Sequence, residues 1–541
     1  MSQTLRQFSS LPPIRVADGC VVSYCPMASA VGSSVLYRGG NAVDAAVATG
    51  LALAVSYPQA GNLGGGGFLL LHRANGEVHY LDYRETAPRK LDPVSFLGPQ
   101  NKDRSTVGGL AIGVPGTIAG FADALARFGT WSWEQVVAPA IELADRGVWL
   151  TIRQAAFLRL YHGALKQFPS TQKYFTSNGE TMLPATLFRQ PVLAKTLRSL
   201  TEEGPRAFYE GEIAERIVQE VAAQGGVLDR EDLRSYRPQW RKPLRRSFGG
   251  KDVYTTHLPS AGGLILQLCL GLLESDGALE FKPGSIERFE RVARAFRVAF
   301  GLRQALACDP DDLDDSERAR IDALAEKQMS SGDLERFEQE LKQITPVSAA
   351  GGTNTTHFCV MDRDGNAVSN TYSLNTMFGS KVAVDGAGFI LNNSIDDFSL
   401  SPEATNWYSL GYGARNHVKP GRRPVSSMTP TIVSSGGHAE LVVGGSGGPR
   451  IPTMVAQTIV GVVSDGIPLG EVMRAPRIHH QFFPDELALE QAMPSITAEG
   501  LERYGFTIQR QAALGMGAAI HRPPGSENLL VSLDARFGMF E

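Results

Sequence analysis

Cysteine is scarce in this chain: there are five among 541 residues, and no two of them have Cys-x-x-Cys spacing. An odd and scattered set predicts neither a disulfide framework nor a zinc site. The chain also has no large excess of charge of either sign, since its formal net charge is −4, and it has no long lysine or arginine cluster. We therefore expect no nucleic-acid partner, no membrane partner and no metal site.

Long hydrophobic runs are missing as well. The Ala- and Val-rich stretch 42–55 contains Asp44 and is too short to cross a bilayer, so it predicts a buried core helix. Residues 1–18 contain arginines and prolines but no continuous apolar segment, so they do not resemble a signal peptide. We expect a cytoplasmic protein as written, or a periplasmic or secreted one if the N-terminus has been trimmed.

A turn-rich stretch, residues 344–354, leads directly into a strand pattern that starts with threonine. The alternation around Asp364-Gly365-Asn366 predicts a β-hairpin. If the chain is cut between Asn354 and Thr355, the Thr355 hydroxyl becomes a nucleophile and its freed α-amino group a base. An α-amino group has a pKa of about 7.7–8.0, so it can accept a proton near neutral pH. By itself, the local pattern favours an ordinary strand start.

Several motifs after Thr355 resemble the γ-glutamyltransferase family, also called glutathione hydrolases; they are Thr-Thr-His-Phe (355–358), Asp-Gly-Asn-Ala-Val (364–368), Ser-Leu-Asn-Thr (373–376) and Leu-Asn-Asn-Ser-Ile-Asp-Asp-Phe-Ser (391–399). The resemblance extends from about Gly19 to Arg536. It implies an α+β fold, the four-layer αββα sandwich of N-terminal nucleophile hydrolases. It also implies one compact unit cut into chains 1–354 and 355–541, which remain associated.

The resemblance implies a role for each residue of the site. Thr355 is the nucleophile, Ser373 orients it where relatives carry a second threonine, and backbone N–H groups of Gly447 and Gly448 form the oxyanion hole. Substrate-binding roles fall to Arg84 for the α-carboxylate, to Asn375 and Asp397 for the α-ammonium, to Tyr408 in the lid loop 399–424, and to Ser426 and Ser427 for a carboxylate. Ser394 takes a substrate-binding position where relatives usually carry glutamine or glutamate. Its shorter side chain removes one contact to the α-amino group, which weakens the case for γ-glutamyl specificity.

The implied reaction is cleavage of γ-glutamyl amides such as glutathione through a γ-glutamyl ester on Thr355, without a cofactor. Water or the amine of an amino acid or peptide then takes the acyl group. Two alternatives remain open. One is a related acylase, such as a cephalosporin or glutaryl acylase or a small-amide hydrolase, which Ser394 favours. The other is an uncleaved pseudoenzyme that acts as a binding protein.

Three further patterns predict structure rather than a ligand. The glycines at 64–67 are not followed by Gly-Lys-Ser/Thr, so we expect tight chain packing beside the active site and not a phosphate loop. The acidic stretch 309–315 lacks the glycine and closing glutamate of a calcium loop and is expected to be solvated. His479 and His480 are adjacent and diverge, so they are expected to be structural.

Overall fold

The computed structural model describes residues 14–16, 19–98, 101, 103–342, 355–400 and 414–536. The strands are β1 Ile14–Val16, β2 Gly19–Ser23, β3 Gly66–His72, β4 Val78–Tyr83, β5 Val148–Trp149, β6 Leu187–Phe188, β7 Gln239–Arg241, β8 Leu244–Phe248, β9 Lys251–Thr255, β10 Thr356–Asp362, β11 Ala367–Ser373, β12 Thr431–Ser435, β13 His438–Ser446, β14 Ile478–His479, β15 Leu487–Glu490, β16 Ile508–Gln511, β17 Met516–His521 and β18 Leu529–Leu533.

The α-helices alternate with these strands along the chain. They are α1 Pro26–Tyr37, α2 Ala42–Ser56, α3 Thr117–Phe128, α4 Trp133–Arg146, α5 Ile152–Leu165, α6 Pro169–Phe175, α7 Pro191–Glu202, α8 Ala207–Glu210, α9 Glu212–Ala223, α10 Arg230–Ser235, α11 Ala261–Ser275, α12 Ile286–Leu306, α13 Asp315–Glu326, α14 Asp333–Leu341, α15 Arg450–Ile459, α16 Leu469–Arg474 and α17 Ser495–Arg503. Within the described ranges, none of the helices is both long and apolar enough to cross a membrane.

Two antiparallel sheets are stacked at the centre of the protein. One has the order β2-β10-β11-β3-β4-β7 and the other β1-β18-β17-β13-β12-β9-β8. Strands β10 and β11 of the first sheet pack on β13 of the second, while α2 covers the outer face of the first and α11 and α15 cover the second. The expected four-layer αββα sandwich is therefore confirmed.

The expected hairpin and core helix are both present. Strands β10 and β11 pair in antiparallel register, and Gly365 in their turn has a φ of 94°, which favours glycine. Every side chain of α2 is buried, as its nearly uniform apolar sequence predicts. The helix starts in a capping box formed by Asn41 and Asp44.

The prediction of a solvated acidic loop at 309–315 is wrong for its first residues. Asp309 is buried and accepts a hydrogen bond from the Arg423 backbone N–H at 2.6 Å. Asp312 forms ion pairs with Lys419 at 2.9 Å and with Arg422 at 2.8 Å. Burial raises the pKa of Asp309, although the Arg423 N–H opposes this. The acidic residues thus anchor the segment that precedes Ser426, a contact that sequence spacing cannot reveal.

Candidate active site

The register of the central hairpin places Thr355 beside Ser373. Thr356 is paired with Tyr372, so the preceding residue of β10 lies next to the last residue of β11. The Thr355 side chain is buried, and its Oγ1 lies 3.5 Å from Ser373 Oγ, to which it donates. The hydroxyl predicted to be the nucleophile therefore lies where two inner strands of the first sheet end, next to a second hydroxyl.

Asn375 lies in the turn that follows β11. Its φ is 76°, a left-handed conformation that asparagine adopts more easily than most residues. Its backbone N–H donates to Ser373 Oγ at 2.8 Å, and its Nδ2 donates to the Asn393 carbonyl at 3.1 Å. Asn393 in turn precedes the short 3-10 helix Ser394–Asp397. One hydrogen-bonded unit thus carries both residues predicted to bind the α-ammonium group.

Arg84, which follows β4, is fully buried between two carboxylates. Its guanidinium forms ion pairs with Asp397 at 2.5 Å and with Glu85 at 3.1 Å. Its Nε donates to the Pro424 carbonyl at 3.3 Å. Burial raises the pKa of Glu85 and outweighs the opposing effect of Arg84. Both members of the Arg84–Glu85 pair are buried in the interior.

Ser394 lies behind Arg84. Its hydroxyl donates to Glu85 Oε1 at 2.8 Å, and its backbone N–H donates to Asn392 Oδ1 at 3.0 Å. The residue is completely buried and is absent from the set of residues that line the cavity at Thr355. A direct contact between Ser394 and a substrate is therefore not supported by its position, whereas a contact with the Arg84–Glu85 pair is observed.

The loop that contains Ser426 and Ser427 is held by the turn before α11. Ser426 N–H donates to the Pro259 carbonyl at 2.9 Å, and Ala261 N–H donates to the Ser426 carbonyl at 2.9 Å. Ser426 Oγ also accepts from the Met428 N–H at 3.2 Å. These bonds fix the loop at the cavity wall.

Gly447 and Gly448 connect β13 to α15. Their φ angles are 139° and 58°, both in the region that favours glycine. A Cβ on Gly447 would lie 2.9 Å from the Gly515 Cα, so a side chain there would meet backbone. The turn places the N-terminus of α15, with its positive end of the helix dipole, beside the cavity.

Most of these residues, but neither Ser394 nor Gly447, line one small cavity where strands of both sheets end. Its lining residues are Arg84, Thr355, Ser373, Asn375, Asp397, Ser426, Ser427, Met428, Gly448 and Ile451. Asn354 and Tyr408 lie outside the described residues. Sequence reasoning missed Met428 and Ile451, and it missed Glu85 as the partner of Ser394. None of these three carries a distinctive local signal.

The glycines at 64–67 pack against neighbouring backbone, as expected. A Cβ on Gly65 would lie 2.1 Å from the Ser373 carbonyl oxygen, and one on Gly67 would lie 2.4 Å from that of Thr371. His479 bonds to Thr453 Oγ1 at 2.9 Å, and burial lowers its pKa to about 3. Across the part of the chain that the structure describes, no group of three His, Cys, Asp or Glu side chains could hold a metal ion.

Two stacked antiparallel sheets enclosed by helices, with a threonine directly before an inner strand, are the architecture of N-terminal nucleophile hydrolases. The sequence profile described as Gamma-glutamyltranspeptidase matches residues 28–537. The chain therefore belongs to the γ-glutamyltranspeptidase family. It is an enzyme of the γ-glutamyltransferase and glutathione hydrolase type.

Individual relatives include both hydrolases and acylases. A glutathione hydrolase proenzyme of Escherichia coli is 39% identical over 95% of this chain and 90% of its own length. The ACY 1 acylase proenzyme of Pseudomonas sp. strain SE83 is 32% identical over 95% of this chain and 92% of its own. The structure resembles a cephalosporin acylase from Bacillus halodurans, with a TM-score of 0.84 at 26% identity over 98% of this chain and 96% of that chain.

Proposed function

We propose that this protein cuts itself before Thr355 and then hydrolyses or transfers the γ-glutamyl group of small amides such as glutathione, using the residues of the cavity described above. The observation that carries the proposal is the Arg84–Asp397 pair beside the Thr355 hydroxyl. Opposite charges held side by side match the α-carboxylate and α-ammonium of a glutamyl head group, which are attached to one carbon.

Self-cleavage is the first stage of the proposed mechanism. Thr355 Oγ attacks the carbonyl carbon of Asn354, the C–N bond breaks, and the nitrogen takes up a proton, which leaves an ester between the two residues. Water then hydrolyses the ester and restores the hydroxyl. The products are chains 1–354 and 355–541, and Thr355 gains a free α-amino group that can act as a base.

Acyl transfer is the second stage. The α-amino group accepts the Thr355 hydroxyl proton as Oγ attacks the γ-carbonyl carbon of the donor, and Ser373 holds that hydroxyl in place. Backbone N–H groups at Gly447 and Gly448 stabilise the developing oxyanion. The leaving amine departs with a proton, and a γ-glutamyl ester remains on Thr355. Water or an acceptor amine then attacks the ester, releasing glutamate or a new γ-glutamyl amide.

The decisive experiment compares wild type with Thr355→Ala on a denaturing gel, by N-terminal sequencing and by turnover of L-γ-glutamyl-p-nitroanilide. We expect wild type to give two chains, the smaller starting at Thr355, together with turnover. Thr355→Ala should stay as one chain and be inactive, because it has no nucleophile for either stage.

Thr356→Val is the matched control. Thr356 is buried next to the nucleophile, and its Oγ1 has no hydrogen-bond partner within the described residues. Removing this hydroxyl while keeping the shape should leave cleavage and turnover intact. An uncut, inactive wild type would refute the proposal and favour the pseudoenzyme. Cleavage of Thr355→Ala would refute the role of Thr355.

A related acylase activity is the second candidate. Its support is the position of Ser394, which bonds to Glu85 instead of lining the cavity, so the α-amino end of the donor has one contact fewer than the family resemblance implies. The two candidates differ in their preference for the α-amino group. A processed enzyme that cleaves glutaryl-p-nitroanilide at least as efficiently as the γ-glutamyl compound would favour the acylase.

A further inference from the structure

Lys381 is a buried lysine in the loop between β11 and the 3-10 helix Ser394–Asp397. Only 5% of the residue is exposed, and its φ is 69°. A non-glycine residue in this left-handed conformation is strained, and the strain persists only when the surroundings hold the residue in place. No role in the two-stage mechanism requires a lysine at this point.

The surroundings of Lys381 come from four segments. Its Nζ donates to the Gly379 carbonyl at 2.5 Å and to Thr376 Oγ1 at 3.1 Å. The ring of Tyr161, on α5, is centred 5.5 Å from Nζ. On α6, Thr171 Oγ1 donates to the Lys381 carbonyl at 2.7 Å. The carboxylate of Asp396, which accepts from Ser105, is the acidic group that faces the amine.

The amine is linked to the active site through Thr376 and Asn393. Thr376 Oγ1 accepts hydrogen bonds from Lys381 Nζ and, at 2.9 Å, from Asn393 Nδ2. It donates to the Gly379 carbonyl at 3.3 Å. Thr376 N–H donates to Asn393 Oδ1 at 3.0 Å. Because two donors converge on the Thr376 hydroxyl oxygen, the hydroxyl hydrogen has one favoured direction. The same contacts orient the Asn393 carboxamide.

Asn393 then fixes Asn375, which lines the cavity. The backbone carbonyl of Asn393, the residue whose side chain Thr376 holds, accepts Asn375 Nδ2 at 3.1 Å. Since the amide nitrogen is used in this way, the amide oxygen is the atom of Asn375 that can accept from an ammonium group. The contacts from Lys381 through Thr376 therefore hold Asn393 in place, and with it the backbone carbonyl to which the Asn375 carboxamide is bonded.

We propose that Lys381 is a positioning residue for the acyl-donor subsite: acting through Thr376 and Asn393, it orients Asn375 and so sets the preference for donors with an α-ammonium group. This inference rests on the proposed function, in which Asn375 binds that group. Burial lowers the pKa of Lys381 to about 7, against the opposing effect of Asp396. A neutral amine still has N–H groups for both Thr376 and Gly379, so the arrangement persists in mildly alkaline solution.

The test replaces Lys381 with methionine, which keeps the aliphatic chain but removes the donors. Competitive inhibition constants are measured on the processed enzyme for L-glutamate and for glutarate, which lacks the α-amino group. We expect Lys381→Met to raise the inhibition constant of L-glutamate about tenfold and that of glutarate less than twofold. The KM of L-γ-glutamyl-p-nitroanilide should rise with little change in kcat.

Three further variants make the test specific. Lys381→Gly removes the same donors and relieves the backbone strain, so it covers the case in which the methionine variant does not fold. Thr376→Val should cause the same loss of affinity for L-glutamate, and the double variant with Lys381→Met should lose little more. Lys173→Met is the control, since Lys173 is exposed and pairs with Asp385 on the outer side of the same loop; it should leave both constants unchanged.

The inference would be overturned if the inhibition constants of L-glutamate and glutarate rose equally, or if both stayed unchanged in folded Lys381→Met and Lys381→Gly. Either result would leave the proposed function intact. If wild type itself does not turn over γ-glutamyl donors, the proposed function fails and the inference fails with it.

Discussion

At the scale of single residues, Ser373 contacts both Thr355, the predicted nucleophile, and Asn375, which is predicted to bind the substrate. Its Oγ accepts hydrogen bonds from the Thr355 hydroxyl at 3.5 Å and from the Asn375 backbone N–H at 2.8 Å. One hydroxyl therefore couples the position of the reacting oxygen to the turn that presents Asn375. This coupling can be measured, because a serine can be replaced with or without loss of the hydroxyl.

Ser373→Ala is expected to lower kcat/KM for L-γ-glutamyl-p-nitroanilide about tenfold or more, since the hydrogen bonds to Thr355 and Asn375 are lost in a buried site. Ser373→Thr keeps the hydroxyl and should stay within about threefold of wild type. Steady-state kinetics on processed protein measures both. An alanine variant as active as the threonine variant would contradict the role of the Ser373 hydroxyl.

At the scale of elements, the helices differ in what their glycines contact. Gly50 lies in α2, where an added Cβ would be 2.4 Å from the ring of Phe121 on α3. Gly163 lies in α5, where an added Cβ would meet nothing within 4 Å. Glycine is intrinsically unfavourable in both helices, so only the packing distinguishes the two positions.

Gly163→Ala should raise the free energy of unfolding by about 0.5–1 kcal/mol, because alanine is the better helix former. Gly50→Ala should lower it by about 1–3 kcal/mol, because overpacking against Phe121 outweighs that gain. Urea unfolding of the uncleaved Thr355→Ala protein allows one chain to be followed. Changes of the same sign at both positions would show that the contact between α2 and α3 is not tight.

At the scale of the whole molecule, a buried charge network joins the residues after β18 to α16 and β15. Arg536 pairs with Asp534 at 3.0 Å and with Glu490, and it donates to the Met473 and Ala475 carbonyls at 2.8 Å. Burial alone would raise the pKa of Asp534, but Arg477 and Arg536 outweigh this and hold it below the usual value.

Arg536→Met is expected to lower the free energy of unfolding by about 3–5 kcal/mol at neutral pH, because the buried Glu490 carboxylate loses its guanidinium partner and Asp534 keeps Arg477 but loses Arg536. The folded-state pKa of Asp534 is depressed, so this stabilisation is present above the usual aspartate pKa and is lost as pH falls through the lower folded value. The difference between wild type and variant should therefore shrink in acid.

Arg336→Met is the control for Arg536, because the Arg336 side chain, which pairs with Asp333 on α14, is about half exposed. It should change the free energy of unfolding by less than about 1 kcal/mol. A loss in Arg536→Met no larger than in this control would mean that the C-terminal network contributes little to stability.

The sequence by itself determined the features that depend on neighbours in the chain. The hairpin that contains Thr356 and Ser373, the buried helix α2 and the close packing of the glycines at 64–67 were all predictable. The alternating pattern of the hairpin, the uniform apolarity of α2 and the missing side chains of the glycines all act between neighbours in the chain. These patterns can therefore be read from the sequence alone. The family motifs added the αββα fold. The roles of the site residues remain predictions, although most of these side chains meet in one cavity.

Only the tertiary structure decided which distant segments meet. Arg84 and Asp397 are separated by 313 positions, and nothing local indicates that they pair. The burial of Asp309, the bond of Ser394 to Glu85 and the contacts of Tyr161 and Thr171 with Lys381 have the same origin. Each depends on charges and hydrogen-bonding groups supplied by another part of the chain, and folding alone brings those groups together.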